Sequence, residues 1–209
     1  MTPGSAMLAT MQQKFGERLQ TEVELARYTS ARVGGPAEML LVAKSAKELA
    51  ELVSALWVLG QPFLMLGGGS NVLVADAGVR GVVLVNRARR VRFSDQPSCP
   101  TVWAESGANF GLLARQAAAR GLAGLEWAAG IPGTLGGAVV GNAGAFGADL
   151  ATNLVVAEIL HRIPAMEASD QSAVRREKWA KERFGYSYRS SVLKNGTETA
   201  VVLSAKLAL

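Results

Sequence analysis

Gly130 to Gly147 reads Gly-Ile-Pro-Gly-Thr-Leu-Gly-Gly-Ala-Val-Val-Gly-Asn-Ala-Gly-Ala-Phe-Gly, and no other stretch restricts the fold so strongly. Seven of its eighteen residues are glycine and none is charged. Such a backbone can take positive φ and lie close against whatever it faces. Exposed N–H groups ahead of Leu135 to Val140 can form a concave anion nest or a helix N-terminus, either of which draws phosphate oxygens without a basic side chain. Two plainer explanations compete, a packed core turn and a membrane span. Residues 127–148 are an uncharged run of spanning length, but Pro132, Thr134, Asn142 and the glycines make a poor apolar helix. No membrane partner is therefore expected, while glycine packing alone stays open.

A second cluster shifts the balance toward a ligand. Gly67-Gly68-Gly69-Ser70-Asn71 follows the apolar run Phe63 to Leu66, so a buried strand is expected to deliver a flexible loop ending in two hydrogen-bonding side chains. Neither cluster is a standard nucleotide motif, since the chain has no G-x-x-x-x-G-K-[ST] and no G-x-G-x-x-G after a strand. Two separate backbone cradles point to a ligand with an extended, phosphate-containing spine, which a dinucleotide such as FAD supplies.

The 22 Lys and Arg against 17 Asp and Glu leave a charge of +5, which fits an anionic small ligand. Nucleic acid is not implied. The basic residues gather in Arg87 to Arg92 and Arg175 to Arg183, neither with the interleaved aromatics of a base-stacking surface, and both read as solvated faces. One cysteine, Cys99, excludes an intrachain disulfide, and the Met1 end lacks a secretory pattern, so a cytoplasmic location is expected.

The order of segments repeats itself. Ala6 to Phe15 reads as a short helix stopped by Gly16, and a Gly34-Gly35-Pro36 turn leads into a strand at Met39 to Val42. Ser45 and Glu48 form a capping box for a helix with Leu49, Leu52, Val53 and Leu56 on one face, ending at Gly60. With the strand Phe63 to Leu66 this makes a strand, helix, strand unit and favours a parallel pair, with the Gly67 loop at its carboxyl end, where ligands of α/β sheets tend to bind. Val72 to Val74 and Val82 to Val85 are β-branched runs around the turn signal Asp76-Ala77-Gly78. A strand at Thr101 to Glu105, then a helix capped at Asn109 and ended by Gly121, leads directly to the glycine-rich stretch. Two subdomains, each contributing one cradle, follow from that repetition, with a break near residues 86–100. After a strand at Val155 to Leu160, the polar stretch His161 to Arg183 shows helical potential around Glu177 to Phe184. Tyr186 and Tyr188 would share one face of a strand and Arg189 take the other, and Ala200 to Leu207 forms the last strand.

Tyr28 to Ala37, Gly67 to Asn71, Gly130 to Gly147 and Tyr188-Arg189-Ser190-Ser191, in this order, resemble the bacterial UDP-N-acetylmuramate dehydrogenases, also called UDP-N-acetylenolpyruvoylglucosamine reductases. The resemblance implies an α+β chain with the FAD-binding fold of the vanillyl-alcohol-oxidase type, two α/β subdomains with FAD between them. It divides the chain into an N-terminal extension at 1–20, a first subdomain at 21–90 and a second at 91–209. It implies non-covalent FAD, NADPH as co-substrate, and reduction of UDP-N-acetylglucosamine enolpyruvate to UDP-N-acetylmuramate for peptidoglycan. Carried onto this sequence, the flavin contacts are Gly67, Gly68, Gly69, Ser70, Asn71, Gly130, Ile131, Pro132, Gly133, Thr134, Gly136, Gly137, Ala138, Asn142, Ala143 and Gly144. Arg189 matches the catalytic arginine, with Tyr188 and Arg189 at the substrate. Enolate charge builds at the substrate carboxylate during hydride addition, so a fixed guanidinium there stabilises the transition state more than the ground state.

One departure is large. In the family a third domain carries the proton-donating serine and an assisting glutamate, and no Gly-Ser-x-Phe-Lys-Asn-Pro-like segment occurs in this chain. The expectation is therefore a catalytically incomplete reductase, with a separate chain carrying the missing domain as a candidate partner. The rival is a non-catalytic FAD-binding module from a truncated or split gene. Val139-Val140-Gly141 also departs from the larger or polar residues of many relatives. No metal ligand set is expected, and Cys99 and His161 are expected to be structural.

Overall fold

The computed structural model of the chain describes residues 3–94, 96, 98–163 and 174–209. Helix α1 (Pro3–Phe15) stops at Gly16, whose φ of +54° continues no right-handed helix. Strands β1 (Gln20–Glu24) and β2 (Pro36–Ala43) pair antiparallel, and α2 (Ala46–Val58) then carries the chain to β3 (Phe63–Leu66). The start of α2 is set locally. Ser45 Oγ accepts from Glu48 N at 3.2 Å, while Glu48 reaches one residue beyond its expected partner and accepts from Lys44 N at 2.7 Å.

The first sheet has the order β1-β2-β4-β3, with β4 spanning Val79–Asn86. This corrects the expected parallel pair: β2 and β3 do run parallel, but β4 lies between them and is parallel to both. Val82, Val83, Leu84 and Val85 are all buried, as suits an inner strand covered on both faces. Period-two alternation sends Met39, Leu41, Val82 and Leu84 toward α1 and α2, and Leu40, Val83 and Val85 to the opposite core with Leu25 and Leu66. The Val72 to Val74 run joins no strand, and Leu73 is largely exposed.

The second sheet has the order β10-β9-β11-β6-β5 and every pairing in it is antiparallel. Its strands are β5 (Val91–Ser94), β6 (Thr101–Glu105), β9 (Leu154–Arg162), β10 (Val174–Trp179) and β11 (Ala200–Ala208). Between β6 and β9 come α3 (Phe110–Ala118), α4 (Leu135–Gly141), the two-residue strands β7 (Gly144–Ala145) and β8 (Ala148–Asp149), and α5 (Leu150–Asn153). Asn109 caps α3 as expected, accepting from Leu112 N at 2.7 Å.

Two expectations for the tail fail. Glu177 to Trp179 belong to β10, and only Lys181–Phe184 forms a 3-10 turn, while the part of the polar stretch at 164–173 lies outside the described residues. Charge on β10 is what an edge strand carries, so its composition disguises it. Tyr186 and Tyr188 share no strand either. Tyr186 stacks on Phe184 at 5.1 Å, whereas Tyr188 is 91% exposed in a tight turn closed by Ser187 and Ser190.

The two sheets are joined by packing and by one buried carboxylate. Leu160 of β9 and Leu203 of β11 enter the core beneath α2. Glu105, at the end of β6 and 3% exposed, accepts from Ala46 N and from Arg90 N, each at 2.9 Å. A charge buried there is matched by the first N–H of α2 and its helix dipole. His161 sits between Glu198 at 2.8 Å and Glu177 at 3.7 Å with its ring edge-on to Trp179. Cys99 is exposed. Among the described residues no helix is long and apolar enough to cross a membrane, and no group of His, Cys, Asp or Glu could hold a metal.

Candidate functional site

Strands β3 and β4 are parallel and in register, Leu66 opposite Val85, so the chain leaving each emerges at the same end of the sheet. Gly67 to Asn71 follow β3 there, and Arg87 to Arg89 follow β4. The first loop is fixed by backbone. Gly69 has φ +65°, and a Cβ on it would lie 2.1 Å from Tyr28 O. Ser30 N donates to Gly69 O at 2.9 Å, holding the loop against the segment after the Leu25–Tyr28 turn.

The two glycine cradles meet. A Cβ on Gly67 would lie 2.6 Å from Thr134 Oγ1, one on Gly68 3.0 Å from Gly133 Cα, and one on Gly133 2.7 Å from Ser70 Oγ. Thr134 caps α4, its Oγ1 accepting from Gly137 N at 3.4 Å. Leu135 N donates to Ala108 O at 2.9 Å and Gly136 N to Ser106 O at 2.7 Å. The N–H groups of Leu135 and Gly136 are therefore committed to the protein, whereas those of Gly133 and Thr134, just ahead of α4, are not. Among the described residues, the N–H groups of Gly68, Gly69, Ser70 and Asn71 donate to nothing, and neither do those of Gly133 and Thr134, so main-chain donors left for an anion lie on both glycine loops.

Gly137 differs from Gly136 of α4, on which a Cβ would lie 2.9 Å from Ser106 Cβ. It is exposed, its φ is ordinary, and a Cβ on it would meet only Thr134 Oγ1 at 3.6 Å. The protein itself gives no reason for glycine at this place. A side chain there would extend into the open space over this face of α4. Pro132 is exposed beside the loops, Gly130 is exposed, Ile131 packs half-buried against the core of the second sheet, and Ala138 is buried within α4.

The remaining expected residues gather at the other end of α4, about 10 Å away for its seven residues at ~1.5 Å each. Asn142, 3% exposed with φ +44°, donates through Nδ2 to Asp149 Oδ2 at 2.9 Å and Ser187 O at 3.2 Å, and Oδ1 accepts from Ala151 N at 3.1 Å. Its side chain is thus engaged in holding the protein together. Ala143 is buried, and Gly144 O accepts from Arg189 Nη2 at 2.8 Å. Arg189 stands at φ +53° in the Ser187–Ser190 turn, beside exposed Tyr188. Asn142, Phe146 and Arg189 are three of the five described non-glycine residues with positive φ, so backbone strain concentrates at this end, as it does at functional sites. Tyr186, beneath the turn, donates to Val139 O at 2.8 Å, and burial followed by the nearby Asp149 raises its phenol well above the ordinary range.

Between the first loop, the Arg87–Arg89 segment and α3 lies a cavity of ≈ 520 Å³, lined among others by Gly68, Gly133, Thr134, Arg87, Arg89 and Arg115. Sequence reasoning missed the arginines, reading Arg87 to Arg92 as a solvated face. Their place directly after an apolar strand, like that of Gly67, was the available signal.

Comparison with known proteins bears on all of this. Residues 37–161 match the family described as FAD binding domain. A UDP-N-acetylenolpyruvoylglucosamine reductase of Rubrobacter xylanophilus is 44% identical over 182 residues, 86% of this chain and 54% of that protein. The crystal structure of UDP-N-acetylenolpyruvylglucosamine reductase from Thermus caldophilus superposes with a TM-score of 0.68 at 32% identity, covering 91% of this chain and 61% of that one. A solvent-stable cholesterol oxidase, 15% identical with a TM-score of 0.67, shares the fold over 93% of this chain. The chain thus spans about half to three-fifths of the length of the reductases it matches.

Proposed function

The chain belongs to the FAD binding domain family, with the α+β fold of the vanillyl-alcohol-oxidase type, and on that premise we propose that it is the FAD-binding portion of an NADPH-dependent UDP-N-acetylenolpyruvoylglucosamine reductase. The observation that carries the cofactor reading is the meeting of the two glycine loops, with unengaged N–H groups at Gly68 to Asn71 and open space over Gly137. Those N–H groups hold the diphosphate without competing protein acceptors, and the exposed face of α4 leaves room for the rest of an extended ligand. Residues 21–90 and 91–209 serve as the two subdomains and 1–20 as an extension, a division supported by the separate sheets.

When bound, FAD supplies a two-electron carrier between NADPH and the enolpyruvyl group of a cytoplasmic nucleotide sugar. Arg189 orients the substrate carboxylate and stabilises the negative charge that develops on it, with Tyr188 as a further substrate contact. The guanidinium is steered by its bond to Gly144 O, which leaves its other donors for a planar, two-pronged contact. Reduction of UDP-N-acetylglucosamine enolpyruvate is thus proposed for the chain together with whatever completes it. The second reading, a FAD-binding module without turnover, is favoured by the span of about half to three-fifths of the matched reductases.

The purified chain is expected to be yellow and to release FAD into the supernatant on acid precipitation. A colourless protein that takes up no added FAD would overturn the cofactor reading. Gly137→Val is expected to leave the melting temperature nearly unchanged, since its Cβ meets no crowding and valine is no worse a helix former than glycine. The same change is expected to weaken FAD binding roughly tenfold or more by occupying ligand space. Full FAD affinity in that variant would make the loop a packing device only.

Arg189→Lys keeps the charge and the residue's backbone demands but loses the planar fork. FAD content is expected to stay the same, while substrate-dependent NADPH oxidation by the chain together with the domain that completes it falls by about 10²-fold, as for loss of one oxyanion donor. Flavin binding without any substrate-dependent oxidation by the unaltered chain so completed decides for the module.

A further inference from the structure

The 520 Å³ cavity beside the glycine loops carries positive charge that nothing in the described protein balances. Arg87, Arg89 and Arg115 all line it, and among the described residues none of the three forms an ion pair with a carboxylate. Arg115 is steered by one bond, Nη1 to Ala129 O at 2.7 Å. Arg87 is half-buried, with its guanidinium 5.7 Å from the centre of the Tyr28 ring.

The segment holding Arg87 and Arg89 is pinned on both sides of Arg89. Arg87 N donates to Ala43 O at 2.7 Å, Ala88 N to Asn86 Oδ1 at 3.0 Å, and Arg90 N to Glu105 Oε2 at 2.9 Å. Asn86 Nδ2 in turn donates to Ser106 Oγ at 2.8 Å, and Ala88 is fully buried. A Cβ on Gly107 would lie 2.6 Å from Ala88 O, so the strap is also locked against the start of the α3 loop. The protein therefore holds two like charges beside one another, one half-buried, at the edge of a hollow. Burial and then the Arg89 charge lower the Arg87 guanidinium from its ordinary range, the direction expected where a counter-anion is lacking.

We propose that Arg87, Arg89 and Arg115 form a side-chain anion subsite in this cavity that takes the phosphate oxygens of the adenylate half of FAD, beside the main-chain donors of Gly68 to Asn71, and so selects FAD over FMN. The proposal rests on the FAD reading and adds to it the residues that read the second nucleotide. Planar guanidinium forks match phosphate oxygens, and FAD carries a second phosphate that FMN lacks, so a subsite beyond the first phosphate is filled by FAD and left empty by FMN. Gly68 and the three arginines line the same hollow, so a diphosphate held at the first loop has its second phosphate beside the guanidinium groups.

The test titrates the flavin-free chain with FAD, FMN and ADP, and compares it with Arg87→Ala and the triple variant Arg87→Ala, Arg89→Ala, Arg115→Ala, each checked for folding by circular dichroism. Wild type is expected to bind FAD much more tightly than FMN, and ADP is expected to compete with FAD. The triple variant is expected to lose about tenfold or more in FAD affinity, with FMN affinity little changed. Arg87→Lys, which keeps the charge, serves if the alanine variants fail to fold, and is expected to lose part of the same preference. Equal affinity of wild type for FAD and FMN would overturn the proposal, as would a folded triple variant, or Arg87→Lys in its place, with unchanged preference. If ADP binds the FAD-loaded chain as well as the flavin-free one, the subsite belongs to a separate nucleotide and the assignment to FAD is overturned. If the wild-type chain takes up no FAD at all, it is the cofactor reading that fails. ADP binding that the arginine variants lose would then still support an anion subsite, and absence of ADP binding would end it.

Discussion

Gly69→Ala is expected to leave little folded protein, with a loss of about 4 kcal/mol or more in urea unfolding, against a total stability of about 5–15 kcal/mol for domains in general. Two costs add. Alanine at φ +65° loses about 1–2 kcal/mol, because the left-handed region brings Cβ against the following carbonyl. Steric overlap weighs more, since the new Cβ would stand 2.1 Å from Tyr28 O and 2.7 Å from Thr29 Cα. Both are backbone atoms and cannot rotate away. The bond from Ser30 N to Gly69 O would have to break for the loop to retreat, and with it the meeting of Gly68 with Gly133. Gly60→Ala is the control. Gly60 has φ +63°, but a Cβ there meets nothing within 4 Å, so only the conformational cost applies. Equal losses in the two variants would show that the close approach of the Gly69 loop to Tyr28 has no energetic weight.

What could be read in the sequence was what local chemistry determines. The starts of α2 and α3 were legible because Ser45 and Asn109 act on N–H groups three residues away. The glycine loops were legible because no other residue tolerates such backbone approach. Pairing was not legible to the same extent. Nothing local to Val82–Val85 says that β4 inserts between β2 and β3, since the choice depends on which strand can be covered on both faces. The arginine-lined cavity depends on that same choice, because only the parallel register of β3 and β4 brings Arg87 beside Gly68. The turn at Ser187 to Ser190 was missed for another reason. Its positive-φ position holds Arg189 in place of glycine or asparagine, so the usual turn signal is missing and the alternation of Tyr186 and Tyr188 imitates a strand.

Asn142→Ala is expected to cost about 3–5 kcal/mol and to disturb Arg189 although the two side chains do not touch in the described hydrogen bonds. Asn142 carries three partners at once, Asp149 and Ser187 through Nδ2 and Ala151 through Oδ1. Truncation leaves a buried amide, a carbonyl and part of a carboxylate unsatisfied, each worth about 1–3 kcal/mol before relaxation. Alanine also fits φ +44° less well than asparagine, which visits the left-handed region more readily. Asn142→Gly separates these two effects, because it keeps the backbone conformation and removes only the amide. Its loss is expected to be smaller than that of alanine by about 1 kcal/mol. The functional consequence follows from where the bonds go. Ser187 O belongs to the turn that presents Tyr188 and Arg189, and Gly144, the acceptor for Arg189, lies two residues after Asn142. Loss of the amide therefore loosens the turn from one side and the acceptor from the other. Proteolysis within residues 187–190 is expected to be faster in Asn142→Gly than in wild type at equal global stability, the latter matched by adding urea to wild type. An Asn142→Ala protein with an unchanged unfolding midpoint would refute the structural role, and an unchanged cleavage rate in Asn142→Gly would refute the link to the arginine turn.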